Sequence, residues 1–205
     1  MKKNNIFLYA PIYLALVIPT PGRFVYGFTI FLEMAFLALV GTLITSLIKK
    51  LKFEQLQTTL ILITVISATI LFRQTLILIC PEVALTLGYV MFLPPISLFL
   101  LGVLFKDTEE PLKNRLANNM SVIGIFSIFG LLFFLIRDIL GFGTFTFFGR
   151  NHQIFEKVLI TSDKWAVFSF IASLPGALTL AGILLFVAII IRKKISIVKN
   201  AEVEE

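Results

Sequence analysis

LANNMSVIGIFSIFGLLFFLI, the stretch Leu116–Ile136, runs for 21 residues without an Asp, Glu, Lys or Arg. A bilayer core about 30 Å thick is crossed by a helix of roughly 20 apolar residues. A helix suits this environment because it satisfies its backbone hydrogen bonds within the segment, where no water is available to do so. The stretch therefore predicts a transmembrane helix.

Further apolar segments of similar length occupy most of the remaining chain, and none alternates in the manner of an outer-membrane barrel strand. They are Asn4–Gly22, Phe24–Ile48, Gln55–Phe72, Val83–Phe105 and Trp165–Ile191. The sequence thus predicts an all-α integral membrane protein with six transmembrane helices. It is expected to form a single polytopic domain over residues 1–199, followed by a short, mobile, acidic tail over 200–205.

The composition excludes several classes of protein. Hydrophobic residues make up 58% of the 205 residues and charged residues 15%, and the mean hydropathy is +0.98. Soluble domains are about 45–50% apolar and roughly a quarter charged, so a soluble enzyme, a disordered chain and a disulfide scaffold are excluded. The net charge of +6 arises from basic residues between apolar runs, which is typical of membrane-protein loops. The expected partner is therefore the lipid bilayer and not nucleic acid.

The distribution of basic residues predicts the orientation. With six crossings, 12 of the 18 basic residues lie at the two ends or in loops on the same side, and four lie on the opposite side. By the positive-inside rule both termini are expected in the cytoplasm, with the protein in the cell (inner) membrane. Lys2 and Lys3 precede an apolar run as in a signal peptide, but no small-x-small cleavage site follows. This run is therefore interpreted as a retained first helix.

Prolines interrupt the first and fourth predicted helices. Pro19 and Pro21 break the first, and Pro94 and Pro95 break the fourth, because proline removes a backbone donor and kinks a helix. Interruptions at matching places in two halves of three helices favour an inverted repeat with a site near the bilayer midplane. Two ordinary proline kinks are the alternative.

Five ionisable residues within or beside the apolar runs need an explanation, because a charge in hydrocarbon costs about 2.5–3.5 kcal/mol. Glu33 lies in the middle of the second predicted helix, where it is either a proton- or cation-relay carboxylate or a neutral, hydrogen-bonded acid at a helix contact. Arg73 and Glu82 could pair across the turn at Pro81 or extend to a surface. Arg137 and Asp138 are neighbours that point in different directions on a helix and are interpreted as an anchor at the membrane edge.

No residue pattern indicates catalysis. Cys80 stands before a proline and is the only cysteine, so no internal disulfide or thiolate cluster can form. It is interpreted as a packing residue. His152, the only histidine, lies in the long segment Gly141–Lys164, which is predicted to be an extracytoplasmic loop entered through a glycine C-cap, with its phenylalanines at the membrane interface. No catalytic, metal or cofactor site is assigned, and the chain is at most a non-catalytic subunit of an enzyme.

Several short strings, in this order and spacing, resemble the small six-helix integral subunits of the Rnf and Na⁺-translocating NADH:quinone oxidoreductase (Nqr) complexes. The likeness covers roughly residues 10–194 and leans toward the E-type subunits of Rnf and the D-type subunits of Nqr. The strings are Thr45-Ser46-Leu47-Ile48-Lys49-Lys50, Leu87-Gly88 leading to Phe92-Leu93-Pro94-Pro95-Ile96, Ile136-Arg137-Asp138-Ile139-Leu140-Gly141-Phe142-Gly143-Thr144, and Leu174-Pro175-Gly176-Ala177.

The resemblance implies an ion-translocating electron-transport complex in which cysteines on the first and fourth helices of two such subunits hold a 2Fe-2S cluster. The expected cysteine positions fall at about Val17 or Ile18 and near Leu100, and none of the three is a cysteine here. Iron in such clusters is held by thiolates or an equivalent donor. The chain is thus expected to be a divergent subunit without the family's cluster.

Three functions remain open at the level of sequence. The first is a multi-pass membrane subunit of an Rnf/Nqr-like assembly, with other integral subunits as partners. The second is the substrate-binding membrane component of a vitamin or small-solute transporter, which also has about 200 residues and six helices. A membrane scaffold without transport is the third. The transported species and any redox activity are not encoded in a recognisable motif.

Overall fold

The computed structural model describes residues 17–50, 56–105, 110–150, 152–160 and 169–201, and these are mostly helical. We number the elements in chain order. The α-helices are α1 (Phe24–Lys50), α2 (Gln57–Ile79), α3 (Pro81–Leu87), α4 (Leu93–Ile96), α5 (Leu98–Phe105), α6 (Leu112–Phe142), α7 (Ser169–Ala172) and α8 (Leu174–Ala201). A 3₁₀-helix spans Gly88–Phe92, and the strands are β1 (Thr144–Phe148) and β2 (Ile154–Val158).

Four helical segments are long and apolar enough to cross a membrane, so the chain is a helical membrane protein. They are Phe24–Lys49, Gln57–Ile79, Pro81–Phe105 and Leu112–Phe142. The first predicted span lies mostly outside the described residues, and residues 18–23 form turns and bends that lead into α1. The sixth corresponds in part to α8, whose stretch Leu174–Phe186 is apolar but shorter than a span. The count of six spans and the inverted repeat stay predictions.

The segment Pro81–Phe105 is a chain of short helices and not one continuous helix. Pro94 and Pro95 lie in the first turn of α4. Backbone N–H groups there have no partner within the helix, so proline removes no helical hydrogen bond. The chain then becomes extended at Ser97, with φ −70° and ψ 136°. The Ser97 hydroxyl donates to the Pro94 carbonyl oxygen at 2.7 Å and accepts from the Leu100 N–H at 3.2 Å. Ser97 thus ends one helix and caps the next.

Helix α1 lies at the centre of the described bundle and contacts α2, α3, α4, α5, α6 and β1. Two glycines permit its close approach to neighbours. A Cβ at Gly27 would overlap the buried ring of Phe134 on α6, and a Cβ at Gly41 would lie 2.7 Å from a methyl group of Leu104 on α5. Small residues at helix contacts are typical of membrane bundles, where backbones pack closely.

The segment predicted as a loop contains an antiparallel hairpin, so the all-α prediction is wrong at this point. Thr144 pairs with Val158, and Phe148 pairs with Ile154. Gly143 ends α6 with φ +68°, which confirms the predicted glycine C-cap. The alternating Thr-Phe-Thr-Phe string places both threonines on the buried side of β1. That alternation is a strand pattern, and the phenylalanines belong to this strand and not to an irregular loop. Their position at the membrane interface stays a prediction.

Candidate functional site

The buried charged and amide side chains of the described residues lie at three levels of the bundle. Arg137 and Asp138 lie beside the hairpin, Glu33 lies in the middle of α1, and Arg115 with Asn119 lies toward the opposite end. Buried polar groups in a membrane bundle require partners and mark functional positions. We therefore describe the partners of each.

Asp138 is completely buried and accepts four hydrogen bonds. Its Oδ2 accepts from the Phe24 N–H at 3.1 Å, the Thr146 N–H at 2.8 Å and the Thr146 hydroxyl at 2.7 Å. Its Oδ1 accepts from the Thr144 hydroxyl at 2.9 Å. Because Phe24 is the first residue of α1, the carboxylate also lies at the positive end of that helix. Asp138 thus joins α6, α1 and β1.

Arg137 is also buried and binds two carbonyl groups on different segments. Its Nη1 donates to the Thr20 oxygen at 3.0 Å, and its Nη2 donates to the Ala172 oxygen at 3.0 Å. The guanidinium lies over the rings of Phe133 and Phe134, 5.8 and 6.0 Å from their centroids. Arg137 therefore links the turn before α1 to α7.

Arg137 and Asp138 have separate hydrogen-bond partners, and among the described residues no ion pair joins the two side chains. The anchor at the membrane edge stays a prediction, but both side chains are buried in the protein, at 1% and 0% exposed. The reason lies in the hairpin and in α7, which cover the end of α6 and bring donors and carbonyls to it.

We expect Arg137→Lys to lower the free energy of unfolding by about 1–3 kcal/mol, because a lysine ammonium cannot reproduce the planar fork that reaches two carbonyls. The measurement is an SDS titration of the purified protein in micelles, followed by circular dichroism. Arg150→Lys is the matched control, because Arg150 is exposed and should change stability by less than about 0.5 kcal/mol. Equal stability of the two variants would contradict the link.

Glu33 has the opposite environment to Asp138. Its side chain is 0% exposed, and neither carboxyl oxygen has a hydrogen-bond partner among the described residues. The Thr69 hydroxyl on α2 lies near this carboxyl, but it donates to the Val65 carbonyl oxygen at 3.2 Å. The carboxyl is therefore enclosed between α1 and α2 without a committed donor.

Arg73 and Glu82 do not pair with each other. Glu82 is exposed, and its Oε2 accepts from the Ile154 N–H of β2 at 3.2 Å. The Nε of Arg73 is buried and has no hydrogen-bond partner within the described ranges. Among the described residues, an ion pair joins the Arg23 guanidinium to the Glu156 carboxylate at 2.8 Å. This pair connects β2 to the residue before α1.

Cys80 and His152 meet at the turn between α2 and α3. The buried Cys80 thiol donates to the His152 carbonyl oxygen at 3.4 Å, and His152 Nδ1 lies 2.9 Å from the Ile79 oxygen. His152 has φ +60°, which fits the tight end of the hairpin. Among the described residues no group of three His, Cys, Asp or Glu could hold a metal ion, and these contacts attach the hairpin to the bundle.

A polar link at the opposite end was missed by sequence reasoning. Arg115 is 2% exposed and donates to the Leu104 oxygen at 3.2 Å and to the Ser46 hydroxyl at 3.3 Å. Asn119 Nδ2 donates to the Thr42 hydroxyl at 2.9 Å. By sequence Arg115 resembles any other basic residue of a loop. The available signal was the spacing of four residues between Arg115 and Asn119, which places both on one helix face.

Val17 and Leu100, two of the positions where the resemblance implies cysteines, are 1% and 0% exposed and belong to one hydrophobic core. Each lies beside an interruption of a helix. Val17 precedes the turn at residues 18–23, and Leu100 follows the extended residue Ser97. Neither side chain has a metal donor. No protein-family model matches the chain, and no curated protein matches it significantly.

Proposed function

We propose that this chain is a multi-pass membrane subunit of an Rnf/Nqr-like ion-translocating electron-transport complex, without an iron–sulfur cluster of its own. The observation that carries the proposal is the position of Val17 and Leu100. Both are buried in one core, and each stands next to a helix interruption. This arrangement is what the resemblance implies for the two cluster positions, with aliphatic side chains in place of thiolates.

The residues at these positions do not fit the family's 2Fe-2S cluster. The side chains of Val17, Ile18 and Leu100 contain only carbon and hydrogen, whereas the cluster needs thiolates or equivalent donors. Cys80 lies at the turn between α2 and α3, where its thiol donates a hydrogen bond to the His152 carbonyl oxygen. The proposed role is therefore that of an integral subunit that supports the complex or its ion path, with electron transfer left to other subunits.

The proposal includes an orientation. The hairpin, Asp138 and the N-terminal end of α1 lie together, and the opposite end of the bundle carries Lys49 near the end of α1 and Lys113 and Arg115 in the first turn of α6. The excess of basic residues at that end favours its location in the cytoplasm of the cell. The hairpin then lies on the extracytoplasmic side, and both termini are cytoplasmic.

Purification from native membranes in mild detergent tests this proposal, with mass spectrometry of co-purifying proteins and iron analysis of the same sample. We expect integral partners and flavin- or iron–sulfur-bearing partners. We also expect no iron in the chain expressed and purified alone. The control is an unrelated multi-pass protein with the same tag. An ATPase and a coupling protein as partners would favour the small-solute transporter, and the absence of any stable partner would also contradict the proposal.

A further inference from the structure

Glu33 and Asp138, the two fully buried carboxyl side chains among the described residues, have opposite surroundings. Asp138 accepts four hydrogen bonds from two backbone N–H groups and two hydroxyls. Glu33 accepts none from the described residues. Hydrogen bonds to a charged carboxylate stabilise it strongly. The Asp138 site is therefore built for a carboxylate, whereas the hydroxyl beside Glu33, that of Thr69, donates to the Val65 carbonyl oxygen.

The polar groups nearest to Glu33 along α1 and α2 are already engaged. The Thr29 hydroxyl, one turn earlier on α1, donates to the Val25 oxygen at 2.8 Å. The Thr69 hydroxyl donates to the Val65 oxygen. The neighbouring Ile30, Met34 and Leu37 are buried hydrophobic residues. The carboxyl thus has apolar surroundings and hydroxyls whose protons are directed elsewhere.

The charged groups on the elements that pack against α1 do not neutralise Glu33. Arg73 is the only charged residue of α2, and it forms no ion pair with Glu33 in the described part of the chain. Glu82 on α3 is bonded to Ile154. Helix α6 carries three buried charged residues that form hydrogen bonds at the two ends of the bundle, namely Arg115, Arg137 and Asp138. Its fourth charged residue, Lys113, is exposed. Helices α4 and α5 and strand β1 contain no charged residue.

An isolated carboxylate in an apolar interior is costly, and such a group becomes neutral instead. A bound metal ion would require several oxygen ligands, but the side-chain polar groups near Glu33 are its own carboxyl and the hydroxyls of Thr29 and Thr69, both of which donate to backbone carbonyls. The backbone carbonyls of α1 and α2 are engaged within the helices. The donor set therefore fits a proton better than a metal cation.

We propose that Glu33 is a proton-binding site in the membrane interior, at which the carboxyl holds a proton as a neutral acid between α1 and α2. Glu33 then provides the protein with a proton-binding carboxyl that lies away from both ends of the bundle. It also assigns different roles to the two buried carboxyls, since Asp138 is the structural one. This inference does not depend on the Rnf/Nqr proposal, because it requires no partner subunit and no redox activity.

Infrared spectroscopy of the purified protein at neutral pH tests the site. The difference spectrum between the natural protein and Glu33→Gln should contain the carbonyl band of a protonated carboxylic acid, and this band should shift in D₂O. The Glu110→Gln difference spectrum is the control. Glu110 is exposed, so its removal should cause loss of carboxylate bands only. If the difference spectrum between the natural protein and Glu33→Gln contains carboxylate bands and no protonated-acid band, Glu33 is ionised and the proposal is overturned.

Salt exchange distinguishes a proton from a metal cation. The protonated-acid band should be the same in sodium chloride and in choline chloride. Its loss in sodium chloride alone would mean that Na⁺ displaces the proton and that the site is a cation site, which would also overturn the proposal.

A measurement on the unmodified chain keeps the test decisive even if Glu33→Gln does not fold. Dicyclohexylcarbodiimide enters membranes and reacts with protonated carboxyls there. Peptide mapping should then find the adduct on Glu33, with Asp138 and Glu82 unmodified. Modification of Asp138 in preference to Glu33 would show that the assignment of the two carboxyls is wrong.

Discussion

Asp138→Asn is expected to lower the free energy of unfolding by about 3 kcal/mol, the largest effect among the polar positions. The asparagine keeps one oxygen and replaces the other with an NH₂ group. That group cannot accept from the N–H groups and hydroxyls of Phe24, Thr144 and Thr146. The substitution also removes the negative charge at the N-terminal end of α1.

The measurement is an SDS titration in micelles, with far-ultraviolet circular dichroism as the signal. Glu110→Gln is the matched control, since it also replaces a carboxylate with an amide but at an exposed residue. It should change stability by less than about 0.5 kcal/mol. The explanation fails if Asp138→Asn is no more destabilising than Glu110→Gln.

Gly176→Ala is expected to lower the free energy of unfolding by about 2–3 kcal/mol, the upper part of the range for overpacking. Gly176 lies in the first turn of α8, directly against α7. A Cβ at this position would overlap the Phe170 carbonyl oxygen, and it would lie 2.6 Å from the Ile171 Cα. Both are backbone atoms, so no side-chain rotation relieves the overlap and α7 has to move. The Ala172 carbonyl, which binds Arg137, moves with it.

Gly182→Ala on the same helix is the matched control. Apart from the backbone of its own helix, no atom of the described residues lies within 4 Å of a Cβ built at Gly182, so the helix preference of alanine decides the effect. This variant should be unchanged or more stable by up to about 1 kcal/mol. Thermal or SDS unfolding of both variants in the same detergent compares them. A similar loss of stability in both variants would show that the contact with α7 is not responsible and would contradict the prediction.

The buried contacts of the candidate site were not predictable from the sequence. Arg137 and Asp138 could be identified as ionisable residues beside an apolar run. Their partners could not, because Thr20 is 117 residues from Arg137 and Phe24 is 114 residues from Asp138 along the chain. A pattern of apolar residues contains no information about which distant donor meets which acceptor.

The hairpin shows the same limit for secondary structure. The string Thr144–Phe148 alternates polar and aromatic residues, but five residues are too few to distinguish a strand from a loop of interfacial aromatics. Its pairing with Ile154–Val158 and its packing on α1 decide the strand. The ring centroids of Phe24 and Phe145 are 5.3 Å apart, and the ring centroids of Phe28 and Phe147 are 5.2 Å apart. These contacts form only when α1 and α6 are already side by side.

The amino-acid sequence is sufficient to predict a helical membrane protein, the approximate positions of the four apolar helical segments and the end of α6 at Gly143. These properties depend on local hydrophobicity and backbone preference, which a single segment carries. The folded structure is needed to show that Asp138 accepts four hydrogen bonds and that Glu33 accepts none from the described residues. The state of a buried carboxyl depends on the groups that surround it in space, and those groups come from segments far apart in the chain.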